Sequence, residues 1–112
     1  MICVFGRELW IWLKKSIKFT ALFPKDKLYA LANQMRRCAV SVPSNIAEGA
    51  VRNGSKELLY FLSIARGSLS ELGTQLQIAV RLGYMRKKSF PSNIDTIFGL
   101  LVGLMKSIRK GQ

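Results

Sequence analysis

The chain has 112 residues, 18 Lys and Arg against 6 Asp and Glu, no histidine, and a net charge of +12. That length predicts a single domain, and a hydrophobic content of 49% supplies a core and excludes the disordered class. Without histidine there is no imidazole base, no Ser-His or Cys-His pair and no imidazole metal ligand.

Cys3 and Cys38 are the only thiols, too few for a tetrahedral zinc site. The first ten residues, Met1 to Trp10, have no basic stretch ahead of an apolar one and no small-residue cleavage site, so nothing there suggests export. The longest uncharged apolar run outside it, Thr96 to Met105, is about half of what a spanning helix needs. These features predict a reduced, cytoplasmic protein with no membrane span, no metal and no cofactor. The sequon Asn53-Gly54-Ser55 is then a chance match. A charge of +12 on so small a body repels itself and points to a polyanion, RNA or DNA. Solubility and an anionic membrane surface are the alternatives.

Three turn-like stretches punctuate the chain: Phe23-Pro24-Lys25-Asp26, Arg52-Asn53-Gly54-Ser55 and Lys88-Ser89-Phe90-Pro91-Ser92. The segments between them follow the helical period. The first runs from about Gly6 to Phe23, with Trp10, Leu13 and Ile17 as its inner stripe. A second apolar line, Trp12, Phe19 and Phe23, lies well away from that stripe and predicts a contact with another subunit. The second segment runs from about Asp26 to Val51, with Leu28, Leu31, Met35, Cys38 and Val42 on one side. Pro43 interrupts it, so a kink or restart is expected, and Asn45 and Glu48 stand at capping-box spacing for a restart.

The third segment, Ser55 to Leu82, has the strongest pattern. Leu58, Leu62, Ala65, Leu69, Leu72, Leu76 and Ala79 alternate at spacings of four and three, a coiled-coil-like seam. Its outer side carries Gly67, Ser70, Gly73, Thr74 and Gln77, small and polar residues that let another backbone approach; they are the candidate oligomer interface with Trp12, Phe19 and Phe23. The fourth segment runs from about Pro91 to Lys110, with Ile94, Ile97, Leu101, Leu104 and Ile108 on one face and a glycine pair, Gly99 and Gly103. Four amphipathic helices with short joints predict an all-α, antiparallel up-down-up-down four-helix bundle, kinked at Pro43.

Glu8, Asp26, Glu57 and Asp95 fall near expected helix starts, where negative charge complements the helix dipole. Only Glu48 and Glu71 remain, and no carboxylate pair, phosphate-cradling loop or nucleophile elbow points to an enzyme. The candidate nucleic-acid contacts are Arg7, Lys14, Lys15 and Lys18 in the first segment, Arg52 and Lys56 at the second joint, Arg86, Lys87 and Lys88 at the third, and Lys106, Arg109 and Lys110 at the end. Arg36 and Arg37 are adjacent in the second segment. No recognition helix or aromatic RNA-binding signature is evident, so these cations would position phosphates without reading sequence.

The stretch Gln34-Met35-Arg36-Arg37-Cys38-Ala39-Val40-Ser41-Val42-Pro43-Ser44-Asn45-Ile46-Ala47-Glu48-Gly49 resembles the signature of the four-helix bundle proteins encoded in intervening sequences of large-subunit ribosomal RNA genes, also labelled ribosomal protein S-twenty-three-like. Ser55-Lys56-Glu57, Phe61 through Leu72, Thr74-Gln75-Leu76, Leu82-Gly83-Tyr84 and Phe23-Pro24 continue it, over about residues 9 to 110. The resemblance implies an antiparallel bundle assembled as a pentameric ring. The accessory proteins of diversity-generating retroelements are similar in fold, basic and pentameric, and bind a reverse transcriptase and nucleic acid. Gly73 in place of a family Glu, a single acid in the fourth segment and the Arg86-Lys87-Lys88 joint move this chain toward that type. The expected function is therefore a non-enzymatic oligomeric nucleic-acid-binding protein, accessory to a reverse transcriptase. The alternatives are an intervening-sequence protein that binds ribosomal RNA and a purely structural oligomer.

Overall fold

The computed structural model describes residues 11, 29–84, 86 and 94–111. They form three long helices: α1 (Tyr29–Ala50), α2 (Ser55–Arg81) and α3 (Ile94–Lys110), and no described residue is in a strand. The fold class is all-α, and these helices are the second, third and fourth segments expected from the periodicity. The first segment, with its Trp10 and Trp12 lines, lies outside the described residues apart from Ile11, which is helical and exposed.

α1 runs unbroken through Pro43, so the expected restart does not occur. Proline removes a backbone donor and crowds the preceding turn. Asn45, two residues on, braces that turn: its side-chain amide donates to the Ser41 carbonyl at 2.8 Å and to the Ser41 hydroxyl at 2.9 Å. Asn45 therefore works inside the helix rather than at a cap. Glu48 is not a capping partner either, because it forms an ion pair with Arg52 one turn later.

α1 and α2 pair closely. Gly49 lies beside Leu58 and Phe61, the Ser41 and Ser68 hydroxyls share a hydrogen bond of 2.8 Å, and the Gln75 amide donates to the Cys38 sulfur at 3.5 Å. Numbers fall along one helix as they rise along the other, the order of a helical hairpin. The joint between them is tight. Arg52 N–H reaches the Gly49 carbonyl at 3.2 Å, and α2 opens with Gly54 extended at its N-cap and no side-chain cap. At about 1.5 Å per residue, α2 spans about 40 Å.

α2 ends on a glycine stop. Tyr84 N–H bonds the Ala79 carbonyl at 2.9 Å and Gly83 N–H bonds the Val80 carbonyl at 3.0 Å, with Gly83 at φ 78°. That is the Schellman arrangement, and its left-handed residue is glycine because a Cβ there would be strained.

The core joins all three helices. Met35, Ala39, Val42 and Ile46 of α1 meet Leu62, Ala65, Leu69, Leu72, Leu76 and Ala79 of α2, and Ile97, Leu101 and Met105 of α3. The α2 seam matches the sequence pattern from Leu62 to Ala79, with Leu58 partly buried at its start. On α3, Met105 is buried while Leu104 is only partly so, a small rotation of the expected face. No described helix is long and apolar enough to cross a membrane.

Candidate nucleic-acid interface

The acids set the field against which the cations act. Glu57 lies in the first turn of α2 and Asp95 in the first turn of α3, as the charge pattern predicted. There each complements the positive end of the helix dipole. Glu48 is taken by Arg52, and Glu71 is exposed on α2. Glu8 and Asp26 lie outside the described residues.

Of the expected cations, the structure describes Arg52, Lys56, Arg86, Lys106, Arg109 and Lys110, all exposed. Arg7, Lys14, Lys15, Lys18, Lys87 and Lys88 lie outside the described residues. Arg52 is not a free phosphate ligand. Its guanidinium pairs with Glu48 and stacks over the Phe61 ring, 5.2 Å from the centroid. The Phe61 ring meets Tyr60 edge-on at 5.3 Å. The open cavity of about 530 Å³ at this joint is lined by Lys56 and Glu57 as well as Arg52, so its charges are nearly balanced. The second joint is thus an aromatic and ion-pair clasp rather than a strongly basic patch. The i,i+4 spacing of Glu48 and Arg52 was the signal in the sequence for this pairing.

The end of α3 is different. Lys106, Arg109 and Lys110 are all exposed, and the only acid on α3, Asp95, lies at its opposite end. Arg109 and Lys110 also occupy the last turn, where positive charge complements the helix dipole. Gly99 and Gly103 lie on the exposed surface of the same helix, and a Cβ at either would meet no described atom within 4 Å. They do not mark a tight contact among the described residues.

On α2, Gly67, Ser70, Thr74 and Gln77 are exposed and Gly73 is half-buried. A Cβ at Gly67 or Gly73 would meet no described atom within 4 Å. The Thr74 hydroxyl donates back to the Ser70 carbonyl at 3.3 Å, and the Ser63 hydroxyl to the Tyr60 carbonyl at 2.7 Å. The proposed partners of this face, Trp12, Phe19 and Phe23, lie outside the described residues.

One polar cluster escaped the sequence reading. Gln75 is 6% exposed, and its carbonyl oxygen has no hydrogen-bond partner. It stands beside Cys38, a buried free thiol whose pKa is raised above 9.0, first by burial and then by the Glu71 carboxylate. A raised thiol pKa leaves little thiolate, so Cys38 is a packing residue rather than a nucleophile. Among the described residues, no group of His, Cys, Asp and Glu could hold a metal ion.

The profile of the 23S rRNA-intervening sequence protein family matches residues 12–103. The chain belongs to this family. No curated protein matches it. The family span takes in α1, α2 and the first half of α3, including Arg36, Arg37, Arg52 and Lys56, and ends ahead of Lys106, Arg109 and Lys110.

Proposed function

We propose that this intervening-sequence family protein is a non-enzymatic RNA-binding bundle that holds phosphates by charge. The observation that carries the reading is the net charge of +12 together with the fate of the described acids. Two sit in first helical turns, one is ion-paired and Glu71 lies on α2, so among the described residues α3 carries no acid beyond its first turn to oppose Lys106, Arg109 and Lys110. The family's name points to ribosomal RNA as the first nucleic acid to test. The family match supports this reading over the reverse-transcriptase accessory, which rests on Gly73, the single acid of the fourth segment and the Arg86-Lys87-Lys88 joint.

The first segment would complete an antiparallel four-helix bundle. Copies would assemble through Trp12, Phe19 and Phe23 and the Gly67, Ser70, Gly73, Thr74 and Gln77 face, into the pentamer that the resemblance implies. Assembly concentrates the charge of several chains on one body and strengthens its pull on a polyanion.

The test is RNA and DNA binding titrated against salt, with particle mass measured by light scattering. Binding should weaken steeply as salt rises. Lys106, Arg109 and Lys110 changed together to Gln should weaken it similarly across sequences and reduce the salt slope by up to about 3. No binding even at low salt would remove the reading. A monomer would remove the assembly.

A further inference from the structure

Away from the basic end of α3, the side chain with the most unused chemistry is Tyr60, in the second turn of α2. It is 62% exposed, so its ring is largely open to solvent. The ring is nevertheless braced. Phe61 meets it at 5.3 Å between centroids, with the planes 76° apart. Phe61 is anchored in turn, with its Cβ close against Gly49 of α1 and the Arg52 guanidinium 5.2 Å from its ring centroid. A braced ring has less rotamer freedom to lose when a ligand settles on it.

The surroundings of Tyr60 narrow the kind of ligand. Its helical neighbours one turn away are Lys56, Glu57, Ser63 and Ile64. Lys56 and Glu57 are exposed and charged, while Ser63 and Ile64 are half-buried. The Ser63 hydroxyl is turned down onto the Tyr60 carbonyl at 2.7 Å and does not rise beside the ring. A single ring among polar neighbours is not the contiguous apolar patch that a protein partner needs. Nor does it suit the close approach of another copy. Gly67 and Ser70, further along the outer side of α2, let a backbone come near, whereas a tyrosine holds one away. What a lone, braced, exposed ring does offer is a flat π face. A nucleobase is the planar partner that stacks on such a face in RNA, and it must be unpaired, because duplex bases are already stacked on one another.

We propose that Tyr60 is a stacking platform for an unpaired base of RNA, with Lys56 one turn back taking the adjoining phosphate. Glu57 on the other flank disfavours a phosphate there and so fixes which way the strand leaves. The inference rests on the RNA-binding reading and adds to it a preference for single strands, which the cations of α3 alone do not provide.

The experiment uses the full chain and two probes, a labelled single-stranded RNA oligomer of mixed sequence and the same oligomer annealed to its complement. Tyr60→Ala should weaken single-strand binding by about tenfold and duplex binding by less than about twofold. It should do so at every salt concentration, leaving the salt slope as in the wild type, because stacking releases no counterions. Tyr60→Phe keeps the ring and should stay within about twofold of the wild type on both probes. Tyr60→Leu keeps apolar bulk without a π face and should fall with Tyr60→Ala. Helicity by circular dichroism and mass by light scattering accompany each variant. If Tyr60→Ala fails to fold, Tyr60→Leu against Tyr60→Phe carries the same comparison. Equal losses on both probes, or no loss on either, would overturn the proposal. So would wild-type binding by Tyr60→Leu, which would make the contact merely apolar, or a lowered particle mass, which would assign the ring to a contact between copies. Wild-type protein that binds neither probe at low salt would remove the RNA-binding reading and the platform together, whereas a wild type that binds and a Tyr60→Ala that binds equally well would remove the platform alone.

Discussion

α2 and α3 are both amphipathic helices, yet they are buried to very different degrees. α2 buries seven residues between Leu62 and Ala79, whereas α3 buries Ile97, Leu101 and Met105. Among the described residues, α2 packs against both α1 and α3, and α3 packs on α2. On α3, Phe98 and Leu100 stay exposed beside the buried line. The difference separates a helix that organises the core from one that offers most of its surface to other contacts. It also leaves α3 room for Lys106, Arg109 and Lys110, since an element buried along one narrow line keeps most of its surface open.

The largest test of that contrast is a pair of truncations. Leu72→Ala should cost about 4 kcal/mol and Leu101→Ala about 3, both within the range for fully buried leucines. Urea unfolding followed by circular dichroism measures both. A larger loss at Leu101 than at Leu72 would mean that α3, not α2, organises the core. Leu72 is 1% exposed and lies on the helix that packs against both other described helices, so its cavity has less freedom to collapse.

The glycines carry the contrast to the backbone. A Cβ at Gly49 would approach the Phe61 Cβ at 3.0 Å and the Leu58 Cδ1 at 3.1 Å, on the α1 side of α2. Gly49→Ala should destabilise by about 1–3 kcal/mol, since a β-carbon cannot swing away as a side-chain tip can. Gly67→Ala, on the outer face of α2, meets no described atom within 4 Å and should stabilise an isolated chain by about 0.5–1 kcal/mol. Thermal melts run alongside mass measurements read both effects. If Gly67→Ala instead destabilises and lowers the particle mass, another chain packs on that face.

The sequence made α2 legible because its apolar residues alternate at four and three without a break, a pattern only a helix buries on one side. The same rule misjudged α3 slightly. A helical stripe drifts around the axis, and over three turns the drift favours Met105 over Leu104. Pro43 read as a kink or restart because the local rule is strong, but no restart occurs: α1 runs unbroken through it, with the Asn45 amide on the Ser41 carbonyl one turn back. Arg52 was singled out for its charge alone, and the structure adds its ion pair with Glu48 one turn earlier. Gln75 was invisible as a core residue because polarity argues against burial, although it sits three residues after Leu72 and four before Ala79, on the buried flank.

The smallest expected effect distinguishes the two sides of α2. Its contact with α3 buries only apolar residues, Ile97, Leu101 and Met105, while its contact with α1 buries Cys38 and Gln75. Burial, with Glu71 adding to it, raises the Cys38 pKa above the 9.0 of an ordinary thiol. In the unfolded chain the thiol loses its proton near that ordinary value, while in the folded chain it still holds it. The unfolded state therefore binds fewer protons above that point, and folding stability falls as pH rises through the window between the two values. Below the unfolded value the contribution is fully present and flat. Tyrosine and lysine titrate in nearby ranges, so the measurement is the difference between wild type and Cys38→Ala at about pH 8 and about pH 10. The wild type should lose more stability than the variant over that interval. Equal losses would mean that the thiol is as free to ionise in the folded chain as in the unfolded one, and that the α1 side of α2 is wetter than its buried residues indicate.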